Sequence, residues 1–391
     1  MASAAVPGDA QSVSRARRRD LITHLEQARG SRLICYVTSD RPGAEMHMDQ
    51  VALWKVRELL IRVRPAGARI PKLDLFLYSR GGDANVPWPL VSLIREFCDE
   101  FNVLVPLRAH SAATSVCLGA DTIVMAPEGQ LGPVDATFEM RRGSESASVS
   151  VEDVMGFIRL VKDTVGLTDQ EQLASAFREL VSKLPDPLVL GKVAREVDQT
   201  RYVASALLSQ RKAAKSEAEI QQVIGKITGG VVRHEHCINR REARDKIGLH
   251  VAEATPEEER LMRELLAEYE SAMLMHDPLI PPCEINAQGG QEAFVDLVRV
   301  CVECQCGAWE IRERRRFWWV RAIPANVSFP ISINIQLSQP IADPAQLSAA
   351  MNQLAGEVAQ QACREAMRIL RTYSPGSIHW EPLTMGWVWA D

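Results

Sequence analysis

Two hydrophobic periodicities alternate along the first third of the chain. Short apolar runs, each bounded by polar residues, lie at Leu33 to Val37, Leu73 to Tyr78, Val103 to Leu107 and Thr122 to Met125. Apolar residues at helical spacing separate these runs, notably from Met48 to Val63 and from Leu90 to Phe101. Strands that alternate with helices pair mostly in parallel, with the helices as right-handed crossovers. The pattern therefore predicts a layered α/β domain whose functional loops follow the carboxyl ends of its strands.

The rest of the chain predicts three further regions. A helix from Ser14 to Ala28 ends at Gly30, and its Arg17-Arg18-Arg19 run is typical of a solvated face. Residues 150 to 228 are mostly helical in pattern, and another helix covers 256 to 275. The last part of the chain predicts strands at Phe294 to Val302, Trp309 to Ile311, Phe317 to Val320 and Ser328 to Leu337, and a long helix at Pro344 to Leu370.

Prolines near residue 280 mark the predicted domain boundary, because the Pro281-Pro282 pair separates the helical region from the last group of strands. We therefore expect an N-terminal extension with its helix over residues 1 to 29. The α/β domain is predicted over residues 30 to 280. A small α+β module is predicted over residues 281 to 391.

Composition narrows the possible classes of protein. The 391 residues are 46% hydrophobic and 24% charged, with a formal charge of −5, so they predict a globular chain with no general basic field for nucleic acid. No stretch approaches the length of about 18 apolar residues that a membrane span needs. Nine cysteines without a preceding secretory signal fit reduced thiols, and we expect a soluble, cytoplasmic protein.

Cysteine spacing raises the question of a metal site. Cys301, Cys304 and Cys306 form a C-x-x-C-x-C motif, with Cys283 upstream. Structural zinc sites usually draw on two well-spaced pairs, whereas these three residues alternate along an apparent strand. We therefore expect buried free thiols, and no metal or organic cofactor.

Two segments have the residue types that a nucleophilic active site needs. In the first, Gly81 and Gly82 follow an apolar strand, and paired glycines let backbone N–H groups approach a substrate carbonyl, as an oxyanion hole requires. In the second, Ser111 lies at a predicted helix start, where free N–H groups stabilise negative charge beside its hydroxyl. Either segment alone is also compatible with a plain turn or a helix cap.

These segments belong to a series of five blocks that resembles the Clp-fold serine peptidases, and more closely the serine dehydrogenase proteinase family. The blocks are Tyr78-Ser79-Arg80-Gly81-Gly82, Ser111-Ala112-Ala113-Thr114, Gly119-Ala120-Asp121, Leu131-Gly132-Pro133-Val134-Asp135 and Arg233-His234-Glu235-His236-Cys237-Ile238. They stand in the family's order within residues 30 to 252. The resemblance implies a Clp/crotonase-like fold, related to that of signal peptide peptidase A and the Clp proteolytic subunit.

The resemblance implies a serine peptidase with Ser111 as nucleophile, His234 as general base and Asp135 as the residue that orients the base. It also implies an oxyanion hole formed by the N–H groups of Gly82 and Ala112. Substrate contacts are expected at Gly81 and His110.

Several alternatives remain open. His236 is a rival base, and Lys162 is another if the site is a Ser-Lys dyad, as in signal peptide peptidases. Where the family has Ser-Gly-Gly-Thr this chain has Ala112 and Ala113, which supports a weakly active or inactive scaffold. A crotonase-type acyl-CoA enzyme would use the same two backbone donors.

The expected partners follow from this interpretation. They are a protein or peptide substrate and further copies of the chain, since Clp-fold proteins usually form homo-oligomers. The chain has no G-x-x-x-x-G-K-[ST] motif, so ATP-driven unfolding would come from a separate partner chain.

Overall fold

The protein's elements are defined by a computed structural model. It describes residues 8–134, 137–142, 145–150, 156, 160, 165–166, 169–183, 188–212, 215–228, 236–289, 292–319 and 378–390. The predicted strand at 328 to 337 and the predicted helix at 344 to 370 lie outside these residues.

The helices in this part of the chain are α1 Gly8–Arg29, α2 Ala52–Val63, α3 Pro87–Phe97, α4 Ala112–Leu118, α5 Gln170–Lys183, α6 Leu188–Ser209, α7 Glu217–Thr228, α8 Pro256–Ala272 and α9 Pro281–Ala287, with a π-helical segment at Glu242–Ile247. The strands are β1 Arg32–Thr38, β2 Ile70–Tyr78, β3 Cys98–Val105, β4 Arg108–Ala109, β5 Thr122–Met125, β6 Gln130–Leu131, β7 Thr137–Arg142, β8 Glu145–Ser150, β9 Ile238–Asn239, β10 Val251–Glu253, β11 Glu292–Cys304, β12 Gly307–Trp319 and β13 Ile378–Ala390.

A large, mostly parallel sheet organises the fold. Its strand order is β10-β5-β3-β2-β1-β11-β12-β13. The first five strands run parallel to one another, and β11 pairs with β1 in the antiparallel direction. A second, small sheet has the order β4-β6-β9, and β7 pairs with β8 in an antiparallel hairpin.

Both faces of the large sheet are covered by helices. Successive side chains on a strand point to opposite faces, and the buried strands have apolar residues on both. On β1, Ile34 and Tyr36 join a core that includes buried residues of α2, α3, α4, α6 and α7. Their neighbours Leu33, Cys35 and Val37 pack with α1 and α8. The predicted layered α/β architecture, with parallel strands and covering helices, is confirmed.

The described residues group into two compact units. The larger unit draws on Val6–His276, Val298–Arg312 and Gly386–Asp391, and the smaller on Asp277–Leu297 and Glu313–Met385. Within the smaller unit, the Arg316 guanidinium lies 2.7 Å from the Glu292 carboxylate. The domain boundaries inferred from the sequence stay predictions.

Three predictions of element extent are wrong. The helix expected to start at Ser14 begins at Gly8, so Ser14 lies inside it. The helix expected from Leu90 to Phe101 ends at Phe97, because Cys98 is already paired with Ile70 as β3 joins β2. The two short strands expected at 309 to 311 and 317 to 320 form one strand, β12. Its charged middle stays in the sheet because acids and bases two residues apart share a face, as Glu310 and Arg312 do at 2.8 Å.

The basic run on α1 contains a buried ion pair, which corrects the expectation of a solvated face. Arg18 is 2% exposed, and its Nε lies 2.7 Å from Oε2 of Glu303. The hydroxyl of Tyr269 donates to the same oxygen at 2.9 Å. Burial alone would lower the pKa of Arg18, but the charge of Glu303, the neighbouring Cys301 and Tyr269 and the hydrogen bond to Glu303 together raise that pKa. The pair fastens α1 and α8 to β11.

We expect Arg18→Met to lower the free energy of unfolding by about 3–5 kcal/mol, because it leaves the Glu303 carboxylate buried without its positively charged partner. Urea denaturation measures this difference. Arg19→Met is the matched control, since Arg19 is exposed on the same helix turn and should change stability by no more than about 0.5 kcal/mol. Equal effects of the two substitutions would contradict the role of the buried pair.

Candidate functional site

Two turns of the chain are held side by side by a continuation of the parallel ladder beyond β2. The Ser79 N–H donates to the Arg108 carbonyl at 3.1 Å, and the His110 N–H donates to the Ser79 carbonyl at 3.0 Å. Ser79 thereby pairs with Ala109 of β4 in the parallel direction. The turn after β2 and the turn after β4 consequently leave the sheet at the same place.

The glycine turn approaches the serine turn more closely than a side chain would allow. A β-carbon on Gly81 would lie 2.8 Å from Cβ of Ser111 and 2.7 Å from the carbonyl oxygen of His110. Gly81 also has a φ of 102°, a conformation that favours glycine. A β-carbon on Gly82 would overlap the backbone of Met48. The structure therefore brings the predicted residues Gly81, Gly82, His110 and Ser111 together.

Backbone N–H groups on both sides of Ser111 are left available. The Met48 N–H donates to the Gly81 carbonyl at 2.8 Å, and the Asp83 N–H donates to the Met48 carbonyl at 3.0 Å. In this parallel pairing Met48 uses both of its own groups, so the Gly82 N–H points away from it. The Ala112 N–H is the first of α4 and has no acceptor within the helix. Neither N–H has a backbone acceptor among the residues described.

Ser111 has a strained backbone, and its side chain does not cap the helix that follows it. Its φ of 51° and ψ of −116° lie outside the regions that residues other than glycine normally adopt. Its hydroxyl makes no capping hydrogen bond to α4, although the residue is at the N-cap position. The side chain is partly exposed, whereas all residues of α4 are buried. A strained serine between a strand and a helix is typical of a nucleophile elbow.

Thr114 ties this turn to the neighbouring strand. Its hydroxyl donates to the Ala109 carbonyl at 2.6 Å and accepts from the Gly132 N–H at 3.0 Å. Gly132 in turn lies against His110, since a β-carbon there would be 3.1 Å from Cβ of His110. The sequence predicts Thr114 as part of a block but not this bond pair, which only the folded sheet creates.

The small sheet brings a third segment towards the serine turn. Strand β6 pairs with β9 so that Leu131 lies opposite Ile238. His236, just before β9, is exposed, and its Nε2 lies 3.0 Å from Oε2 of Glu242. The remaining predicted residues, His234, Asp135 and Lys162, lie outside the described part of the chain. The predicted base and its orienting residue therefore stay predictions.

The third sequence block stabilises the fold at the amino ends of the parallel strands, opposite to the serine turn. Asp121 precedes β5, and its carboxylate accepts from Arg95 at 2.7 and 3.0 Å, from the Phe101 N–H at 2.9 Å and from the Lys212 N–H at 2.7 Å. Burial would raise the pKa of Asp121, but these hydrogen bonds outweigh it and lower that pKa. Asp121 joins β5 to α3, to the start of β3 and to the chain after α6.

The expectation of buried free thiols is confirmed for two of the three cysteines of the motif and is wrong for the third. Cys301 and Cys304 are buried, and Cys306 is exposed. Burial raises the pKa of Cys304 to about 12 and that of Cys301 well above its ordinary value, so both stay protonated at neutral pH. Within the described residues, no group of three His, Cys, Asp or Glu side chains is arranged to hold a metal ion. No helix in the same part of the chain is long and apolar enough to cross a membrane.

Comparisons with known proteins give a distant relative and a distant structural match. No family model matches the chain. The uncharacterised protein MJ0137 of Methanocaldococcus jannaschii is 25% identical over 210 residues, which are 53% of this chain and 63% of that protein. The chain thus spans less than two thirds of this relative's length. Among solved structures, a serine-to-alanine mutant of the 1510-N membrane-bound stomatin-specific protease is 13% identical with a TM-score of 0.30, covering 57% of this chain and 79% of that one.

We expect Gly81→Ala to destabilise the protein more than Gly67→Ala. Both glycines have a positive φ, but a β-carbon at Gly67 meets nothing within 4 Å. Gly67→Ala should cost about 1 kcal/mol from backbone strain. Gly81→Ala should cost about 1–3 kcal/mol more, because its methyl group overlaps Ser111. Chemical denaturation of the two variants measures the difference, and equal costs would show that the two turns do not touch.

Asp121 should contribute to the acid sensitivity of the fold. Because its pKa is lowered on folding, its contribution is present at neutral pH and is lost as the pH falls through the folded-state pKa. The free energy of unfolding of Asp121→Asn should therefore fall less steeply than that of the unsubstituted protein between about pH 5 and pH 2. Asp99→Asn, at an exposed residue 2.6 Å from Arg69, is the control and should change the steepness less, because solvent weakens an exposed ion pair. Identical slopes for both variants would refute this role of Asp121.

Proposed function

We propose that the protein is a serine hydrolase of the Clp/crotonase fold, which cleaves peptide bonds through an acyl-enzyme on Ser111. One observation carries the proposal. Ser111 is strained, makes no capping hydrogen bond and lies against Gly81, and the N–H of the next residue, Gly82, points away from Met48. The resemblance of five sequence blocks to the serine dehydrogenase proteinase family supports the same interpretation.

The proposed reaction begins with attack of the Ser111 hydroxyl oxygen on the scissile carbonyl carbon. A general base takes the hydroxyl proton, and the carbonyl oxygen becomes an oxyanion. The N–H groups of Gly82 and Ala112 donate to that oxyanion, each lowering the barrier by about 3–4 kcal/mol. The leaving amine receives the proton, and water then releases the acyl group. Gly81 and His110 are proposed to contact the substrate.

The proposed base is His234, oriented by Asp135, as the resemblance implies. His236 and Lys162 are the alternatives. His236 is already close to Glu242, so as a base it would have to use its Nδ1 rather than the Nε2 that faces this carboxylate. Variants of all three residues belong in the first experiment.

An inactive or weakly active scaffold is the second candidate function. The observation that favours it is the Ala112-Ala113 pair, which is buried at the start of α4 where the family usually has glycines. An acyl-CoA enzyme is less well supported, since it needs only the two N–H donors and gives the strained Ser111 no role.

The wider setting is also part of the proposal. The family resemblance supports a protein or peptide substrate and assembly into a homo-oligomer, and the missing G-x-x-x-x-G-K-[ST] motif assigns any ATP-driven unfolding to a separate partner chain. A cytoplasmic location follows from composition and cysteine usage.

A fluorophosphonate probe tests the proposed nucleophile directly. We expect intact-mass analysis to show a single adduct on the protein, lost in Ser111→Ala and kept in Ser115→Ala, a substitution on the helix that Ser111 precedes. The variant among His234→Ala, His236→Ala and Lys162→Ala that slows labelling by about 10²–10⁴-fold identifies the base.

The opposite outcome would be equally informative. A folded protein that forms no adduct at mildly alkaline pH would overturn the active hydrolase and favour the scaffold. Calorimetric binding of an acyl-CoA, with no adduct, would instead favour the crotonase-type enzyme.

A further inference from the structure

The hydroxyl groups of Thr38 and Ser79 form a buried pair beneath the glycine turn. Thr38 is the last residue of β1, and Ser79 directly follows β2. The Thr38 hydroxyl donates to Oγ of Ser79 at 2.9 Å, and the two residues are 1% and 0% exposed. Both residues are buried, so their hydroxyl groups bond to neighbouring protein groups rather than to solvent.

The Ser79 hydroxyl uses every hydrogen-bonding position it has. Its oxygen accepts from the Thr38 hydroxyl and from the Gly81 N–H, the latter at 3.0 Å. Its proton points to the Gly81 carbonyl oxygen at 3.3 Å. A hydroxyl group offers one donor and two acceptor positions, and all three are occupied here.

These bonds determine the direction of the Gly82 N–H. The Gly81 carbonyl accepts from both the Ser79 hydroxyl and the Met48 N–H. This carbonyl and the Gly82 N–H belong to one planar trans peptide, in which the two groups point in opposite directions. Holding the carbonyl therefore also holds the N–H, and a chain of hydrogen bonds that ends on a carbonyl polarises the peptide and strengthens its donor.

We propose that Thr38 and Ser79 are positioning residues that aim the Gly82 N–H at the oxyanion. This inference rests on the proposed hydrolase function. It adds a specific relay, from the Thr38 hydroxyl through the Ser79 hydroxyl to the Gly81-Gly82 peptide. Neither side chain touches the substrate.

The test compares rates of fluorophosphonate labelling of Ser111 in Ser79→Ala, Thr38→Val and Thr38→Ser. Misaiming one oxyanion donor should slow labelling about 10²-fold in Ser79→Ala and about tenfold in Thr38→Val. Thr38→Ser keeps the hydroxyl and should label at nearly the original rate. Thr255→Val is the control for lost stability, because it removes a helix-capping hydroxyl of α8 and leaves the site untouched.

Hydrogen exchange of residues 79 to 83, followed by mass spectrometry, provides a readout independent of reactivity. The Gly81 N–H should exchange faster in Ser79→Ala than in the unsubstituted protein, Thr38→Ser or Thr255→Val. Slower labelling together with faster exchange supports the inference. Faster exchange with unchanged labelling overturns it, and so does unchanged exchange.

The same experiment separates the two proposals. If Ser111 of the unsubstituted protein is labelled and the variants are labelled at the same rate, only the positioning role fails. If the unsubstituted protein does not label at all, the hydrolase proposal fails and the positioning role falls with it. Should Ser79→Ala not fold, the pair Thr38→Val and Thr38→Ser decides the question.

Discussion

The pairing of Ser79 with Ala109 is the contact on which the candidate site depends. Parallel strands bring their carboxyl ends to one edge of a sheet, but the two turns that follow them meet only because the ladder continues for one more residue. Beyond that residue, Gly81 lies so close to Ser111 that a β-carbon would overlap it. The contact between the two turns therefore requires a residue without a side chain at position 81.

Strain at Ser111 is tolerated because its surroundings hold the backbone from several directions. The next helix, α4, is buried along its whole length, and Thr114 on that helix bonds both Ala109 and Gly132. Further away, the ion pair of Arg18 with Glu303 and the hydrogen bonds of Asp121 anchor helices and loops to the sheet. A local conformation that costs about 1–3 kcal/mol persists only within such a frame.

The proposed activity rests on the geometry around Ser111 and on a base known only from sequence resemblance. The described geometry provides a serine free of any capping bond and two backbone donors beside it, which suit acyl transfer. The base rests on sequence resemblance, since His234 and Asp135 lie beyond the described residues. A general acid–base group is still required, because a serine hydroxyl is a weak nucleophile until its proton is removed.

The sequence by itself determined the features that depend on neighbours along the chain. Apolar runs located β1, β2 and β5, and glycine and serine at strand ends located the two turns, because periodicity and backbone freedom are local properties. Tertiary structure alone decided that Arg18 is buried against Glu303, 285 residues away, and that Thr38 bonds Ser79, 41 residues away. A charged or hydroxyl side chain is compatible with either solvent or core, and only the partner supplied by strand pairing and helix packing selects between them.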